Sequence, residues 1–106
     1  VEWLKLRKIE FFAIPNGGKR GVIEAALLKR SGVVPGVPDI FIPRPTARYA
    51  GLFVEMKRKS GGIISSEQHA WIDLLNKLGY FAIVCRGADE AIDIVKWYFG
   101  EMDASK

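Results

Sequence analysis

Cysteine occurs once in this 106-residue chain, and histidine once. With Cys85 alone there is no internal disulfide, and a cysteine-rich zinc site is excluded for the same reason. An intracellular setting is the expectation that follows. No basic segment followed by a short apolar run opens the chain, and no apolar stretch approaches the ~20 residues needed to cross a bilayer. Neither secretion nor a membrane span is expected. Internal repeats, low-complexity tracts and linkers are missing too, so nothing divides the chain.

What is present describes a folded protein. Hydrophobic residues make up 49% and charged residues 26%, with three Trp, a balance foreign to disordered tails. The length suits one compact domain over residues 1–106, with too few residues for two independent cores. Sixteen Lys and Arg against twelve Asp and Glu leave a formal charge of +4, a modest excess that suits a polyanionic partner.

Periodicity gives the element order. "VEWLKLRK" has apolar residues at 1, 3, 4 and 6 and reads as the last turns of a helix, its start expected upstream of Val1. "IEFFAI" (9–14) reads as a strand closed by Pro15 and the turn formers Asn16, Gly17 and Gly18. "GVIEAALLKR" reads as a short helix stopped at Ser31 and Gly32. "PDIFIP" (38–43) and "GLFVEMK" (51–57) read as the two strands of a hairpin, prolines bracketing the first because they cannot donate to a ladder. From Ser65 to Leu78, Trp71, Leu74, Leu75 and Leu78 fall at helical spacing and predict one buried stripe ended by Gly79. "YFAIVC" is apolar throughout, so it is expected to be covered on both faces, in mid-sheet or in a parallel pairing. "ADEAIDIVKWYF" closes as a helix before Gly100. The order α-β-α-β-β-α-β-α predicts an α/β fold, a mixed sheet flanked by helices.

Two strands contain charge where a sheet would ordinarily hold valine. Along 51–57, Leu52, Val54 and Met56 face one way, while Phe53, Glu55 and Lys57 face the other. If the hairpin closes, Asp39 comes beside Glu55. Two carboxylates side by side cost several kcal/mol unless a cation compensates, and a hard divalent ion such as Mg²⁺ suits such oxygens. The Met56 carbonyl, between the charged side chains, offers a further ligand. Such an ion would lower the pKa of a bound water and neutralise charge on a phosphodiester, with Lys57 orienting the water or helping to deprotonate it. Taken singly, Pro-Asp at a strand start is an ordinary turn, and Glu-x-Lys near a strand end an ordinary edge charge. Their conjunction inside "DIFI" and "LFVEM" favours a site.

"GVPDIFIP", "GLFVEMKRKSGG" and "SSEQHAWIDLLNKLGYFAIVCRGADEAI" resemble the virus-type replication-repair nuclease (VRR-NUC) domain of the PD-(D/E)XK superfamily, in its stand-alone phage and bacterial form. "FFAIPNGGKR" and "EAALLKRSGV" extend the resemblance over nearly the whole chain. It implies a restriction-endonuclease-like fold, with Asp39 and Glu55 as acids binding Mg²⁺ or Mn²⁺, Lys57 as catalytic lysine and Gln68 as the glutamine opening the next helix. It further implies a homodimer that cuts branched DNA such as Holliday junctions, in the cytoplasm of a bacterium or phage-infected host. The family's usual further acid on the first helix has no match here. Its place is expected upstream of Val1, Glu2 and Glu10 do not fit its spacing, and Glu24 is an alternative acid, though its place in "VIEAALLKR" reads more simply as a solvated helix face.

Neighbouring residues admit more than one role. Gln68 follows Ser65 at capping-box spacing, so it serves as a cap, as a site contact, or as both. His69 reads as a surface residue. Asn16, Lys19 and Arg20 in "PNGGKR" read either as a solvated turn or as a phosphate cradle, and the resemblance tips them toward DNA. Arg58 and Lys59 leave the charged strand, while Arg44 and Arg48 occupy the hairpin loop; each would track a DNA backbone without reading its sequence. Trp71 reads as core. Trp97, Tyr98 and Phe99 are consecutive, so at least one is exposed or meets a partner chain. A metal-dependent endonuclease is the leading reading, and a catalytically inactive nucleic-acid-binding module of the same fold is the alternative.

Overall fold

The structure is a computed structural model and describes residues 1–14, 32 and 34–100. The helix read at 21–30, together with Asn16, Lys19, Arg20 and Glu24, lies outside the described residues. A short helix α1 (Glu2–Leu6) leads into strand β1 (Phe12–Ala13), and the hairpin is formed by β2 (Ile40–Ile42) and β3 (Leu52–Lys57). Helix α2 (Ser66–Lys77), strand β4 (Phe81–Arg86) and helix α3 (Gly87–Tyr98) follow. The sheet order is β1-β2-β3-β4, antiparallel across the first two pairings and parallel across β3 and β4. This is the expected mixed sheet flanked by helices, restriction-endonuclease-like in arrangement.

β4 takes its parallel pairing because the chain returns through α2 before re-entering the sheet. Both α2 and α3 pack on β4, which explains its unbroken apolar run, although it closes the sheet order instead of sitting in mid-sheet. The strand read at 9–14 shrinks to two residues. After α1 the backbone turns sharply at Lys8, in the left-handed region at φ 56°, with the Ile9 N–H donating to the Leu4 carbonyl, so pairing with β2 starts late.

Alternation along the strands separates two faces. Ile40, Ile42, Leu52, Val54 and Cys85 are buried on one of them, with Leu4 from α1 and Val95 and Tyr98 from α3 closing over them. The opposite face has an aromatic row, with ring centroids 5.3 Å apart for Phe12 and Phe41, 4.4 Å for Phe41 and Phe53, and 5.3 Å for Phe53 and Tyr80. Helix α2 packs over the β4 end of that face.

The buried stripe expected on α2 is narrower than its spacing predicts. Leu75 is buried and Trp71 half-buried, but Leu74 is 43% and Leu78 61% exposed. The helix meets the sheet mainly at β4, so it covers only part of its apolar arc. Asn76 reinforces that contact, its side-chain amide donating to the Ala82 carbonyl at 3.0 Å and accepting from the Ala82 N–H at 2.9 Å. In the run 97–99, Tyr98 is buried, Phe99 half-buried and Trp97 exposed, as three consecutive helix-end positions require.

Candidate active site

The hairpin register sets the site. Ile40 lies opposite Val54, so one step back along β2 brings Asp39 beside Glu55. A direct bond secures this placement, the Met56 N–H donating to Asp39 Oδ2 at 2.9 Å. Gly36 brings the approach loop close to α2. Its φ of 93° suits glycine, and a Cβ there would lie 2.7 Å from backbone and side-chain atoms of Glu67. The "VPGVP" punctuation could have signalled this turn from sequence, but its partner helix could not be read.

Glu55 is 2% exposed, the single buried charged residue among those described. Its Oε2 accepts from Gln68 Nε2 at 2.8 Å and lies 3.5 Å from Lys57 Nζ. Its Oε1 is buried, with no hydrogen-bond partner among the described residues. Burial pushes the Glu55 carboxyl above its ordinary pKa, the charge of Asp39 pushes the same way, and Lys57 offsets part of the rise. An ionised carboxylate here is therefore held at a cost in stability.

Gln68 fills both roles left open by the sequence. Its N–H donates to Ser65 Oγ at 3.1 Å and its Oε1 accepts from the Ser65 N–H at 2.9 Å, closing a capping box at the start of α2. That box fixes the amide so that Nε2 is aimed at Glu55. One side chain thus couples the helix start to the buried acid.

The remaining candidates separate cleanly. Arg58 is exposed just beyond β3, on the side of the site, and His69 is exposed on α2. Arg44 and Arg48 belong to the loop at the other end of the hairpin, about 10 Å or more along β3 from Glu55 at roughly 3.3 Å per residue. There, Arg44 pairs with the exposed Glu10 at 3.3 Å and Arg48 lies over the Tyr49 ring. They are not grouped with the acids, and Glu10 is no third acid for the site. Among the described residues no cluster of three or more His, Cys, Asp or Glu could hold a metal. Among the described residues the acids at the site are Asp39 and Glu55.

A divalent ion fits what is there. Oxygen ligands suit Mg²⁺ or Mn²⁺, and Mg²⁺ commonly binds through one or two carboxylates, completing its shell with water and substrate phosphate. The unpartnered buried Oε1 of Glu55 is an acceptor that a cation would satisfy.

A mixed sheet with a Pro-Asp strand start, a buried Glu-x-Lys on the neighbouring strand and a helix-start glutamine on the same face defines a restriction-endonuclease-like protein of PD-(D/E)XK type. Comparison with known proteins narrows the class. The model of the VRR-NUC domain family matches residues 5–89, most of the chain, and the protein belongs to that family of nucleases. A solved "VRR_NUC domain protein" is similar at 33% identity with a TM-score of 0.72, the match covering 83% of this chain and 66% of that one. No curated protein matches the chain. Among the described residues no helix is long and apolar enough to cross a membrane.

Proposed function

We propose that this protein is a metal-dependent endodeoxyribonuclease hydrolysing phosphodiester bonds in branched DNA such as four-way junctions, acting as a homodimer in the cytoplasm. The reading treats residues 1–106 as one nuclease domain. The observation that supports it most is Glu55, a carboxylate buried beside Asp39 and Lys57 with one oxygen left without a partner. Evolution tolerates such a cost chiefly where chemistry needs it.

In this reading Asp39 and Glu55 hold Mg²⁺ or Mn²⁺, with the Met56 carbonyl as a further oxygen. When bound, such an ion supplies Lewis-acid polarisation of the phosphoryl oxygens and a water of lowered pKa. Asp39 is oriented by the Met56 N–H, so its carboxylate needs little reorganisation on binding. Gln68 holds Glu55 Oε2, and Oε1 would be the acceptor offered to such an ion. Lys57, half-buried at the end of β3, would orient the attacking water or assist its deprotonation. Asn16, Lys19, Arg20 and Arg58 would supply phosphate contacts to the flanking DNA.

The test is cleavage of labelled duplex, flap and four-way DNA with Mg²⁺, with Mn²⁺ and with EDTA. Metal-dependent cutting that prefers the junction, abolished in Lys57→Ala while DNA binding persists, is the expected result. Binding without cutting by the wild type in either metal would instead make the protein an inactive DNA-binding module, and failure to bind at low salt would remove DNA from the account.

A further inference from the structure

The parallel pairing of β3 with β4 adds a residue to the site that its linear sequence hides. Lys57 and Arg86 are register partners, and residues paired in a parallel ladder project to the same face of the sheet. Glu55, Lys57 and Arg86 therefore share a face, at the ends of adjacent strands about 4.8 Å apart. The Arg86 guanidinium is held there, its Nη1 donating to the Arg58 carbonyl at 3.3 Å. Its backbone N–H is taken by Glu90 Oε1 at 2.8 Å, yet among the described residues no carboxylate comes within ion-pair distance of the guanidinium.

Arginine is charged at every relevant pH, and a half-buried guanidinium that no described carboxylate pairs with offers a planar fork to an oxyanion. Space above it is kept by Gly62. A Cβ on that residue would lie 3.4 Å from the Arg58 backbone N and the Lys57 Cβ and 3.5 Å from Arg86 Nη1, so glycine leaves a notch bordered by the Arg86 guanidinium and the stem of Lys57. Lys57 and Glu55 are tied to each other, whereas among the described residues no acid pairs with the Arg86 guanidinium.

We propose that Arg86 is a substrate-positioning residue that grips the non-bridging oxygens of the DNA phosphate next to the one being cut. The inference rests on the nuclease reading for what happens at Lys57, but the phosphate contact itself is independent of cleavage. It also explains why an apolar strand such as "YFAIVC" ends in arginine. The strand sets its last side chain on the face that bears the acids.

The test uses the whole chain and a short labelled DNA duplex, with binding followed by anisotropy across a salt series in EDTA. Arg86→Gln keeps a donor for the Arg58 carbonyl but removes the charge. Its affinity at low salt should fall about 5- to 20-fold, and the slope of log K against log salt should drop by about one phosphate. Arg86→Lys should restore that slope. In Mg²⁺, the DNA concentration giving half-maximal cleavage should rise in Arg86→Gln, while the saturating rate changes less than about threefold.

A slope and affinity equal to wild type in Arg86→Gln overturn the proposal, as does an equal loss in the Gln and Lys variants, which would mark a structural role. Should Arg86→Gln fail to fold, Gly62→Ala replaces it. This variant fills the notch without a backbone clash, so weaker binding at an unchanged melting temperature supports the contact and unchanged binding overturns it. Because binding is read in EDTA, a wild type that never cuts sinks the nuclease reading while leaving the Arg86 result to stand or fall by its own slope.

Discussion

The two faces of one sheet follow opposite rules. On the face covered by α1 and α3, Ile42, Leu52 and Cys85 are at most 1% exposed, and alternate positions of β2, β3 and β4 contribute only apolar groups. The same strands present Phe41, Phe53, Glu55, Lys57 and Arg86 to the other face, which α2 covers only in part. A period of two lets a six-residue strand serve stability with one set of alternate positions and chemistry with the other. The first face holds the fold, so the second can keep a destabilising acid.

That contrast breaks most sharply at Glu55. Glu55→Gln retains an acceptor for Gln68 but loses the charge, and cleavage should fall about 10³-fold, roughly 4 kcal/mol of barrier. Stability should move the other way. Because burial and Asp39 raise the folded-state pKa of Glu55, its contribution is fully present below the unfolded value and is lost as pH rises through the folded one. The variant escapes that loss, so its melting temperature should exceed wild type at about pH 7 and the gap should close near about pH 4. An inactive variant with lowered stability at neutral pH would put Glu55 among ordinary structural residues.

Leu52→Ala on the opposite face should do the reverse. Leu52 is fully buried, and truncation in such a core costs about 2–5 kcal/mol, read as a large fall in urea midpoint. Cleavage by the fraction still folded should stay within about twofold of wild type. A selective loss of activity in folded protein would show that the faces are coupled.

Gln68→Glu sharpens the boundary between capping and chemistry. Glutamate at this helix position still closes a capping box, so α2 should lose less than about 1 kcal/mol from its cap. The new carboxylate would face Glu55 Oε2, where the amide now donates at 2.8 Å, and push the Glu55 pKa higher still. Cleavage should drop about tenfold and recover in part at higher metal concentration. Full activity would reduce Gln68 to a cap.

The parts of this arrangement that follow from local pattern were legible in the sequence, and those that depend on what meets across space were not. Glu55 and Lys57 share a face by alternation, and Asp39 joins them once the two bracketed runs form a hairpin, so the acids and lysine could be named from residues alone. Ser65 and Gln68 announced their capping box by spacing. Arg86 could not be found this way, because a parallel register is set by a crossover helix and not by a turn. Leu74 and Leu78 misled for a related reason, since periodicity shows which residues line one side of a helix but not how wide a surface receives them. The run 9–14 looked like a full strand by composition, yet the turn at Lys8 left only Phe12 and Ala13 to pair.

The smallest effect is expected where the core face contains its one reactive atom. Cys85 is fully buried, and desolvation, with a lesser push from Glu90, raises its thiol from 9.0 to about 11. The folded state therefore keeps the proton that the unfolded chain gives up, so this contribution is intact below about pH 9 and is lost as pH rises toward 11. Cys85→Ala should be about 1 kcal/mol less stable than wild type at neutral pH, from the lost packing, and that deficit should narrow as pH passes 9. Urea titrations of both proteins at several pH values measure the gap directly. A deficit that stays constant across that range would mean that water reaches the thiol, and that the apolar face is less sealed than the face bearing the acids.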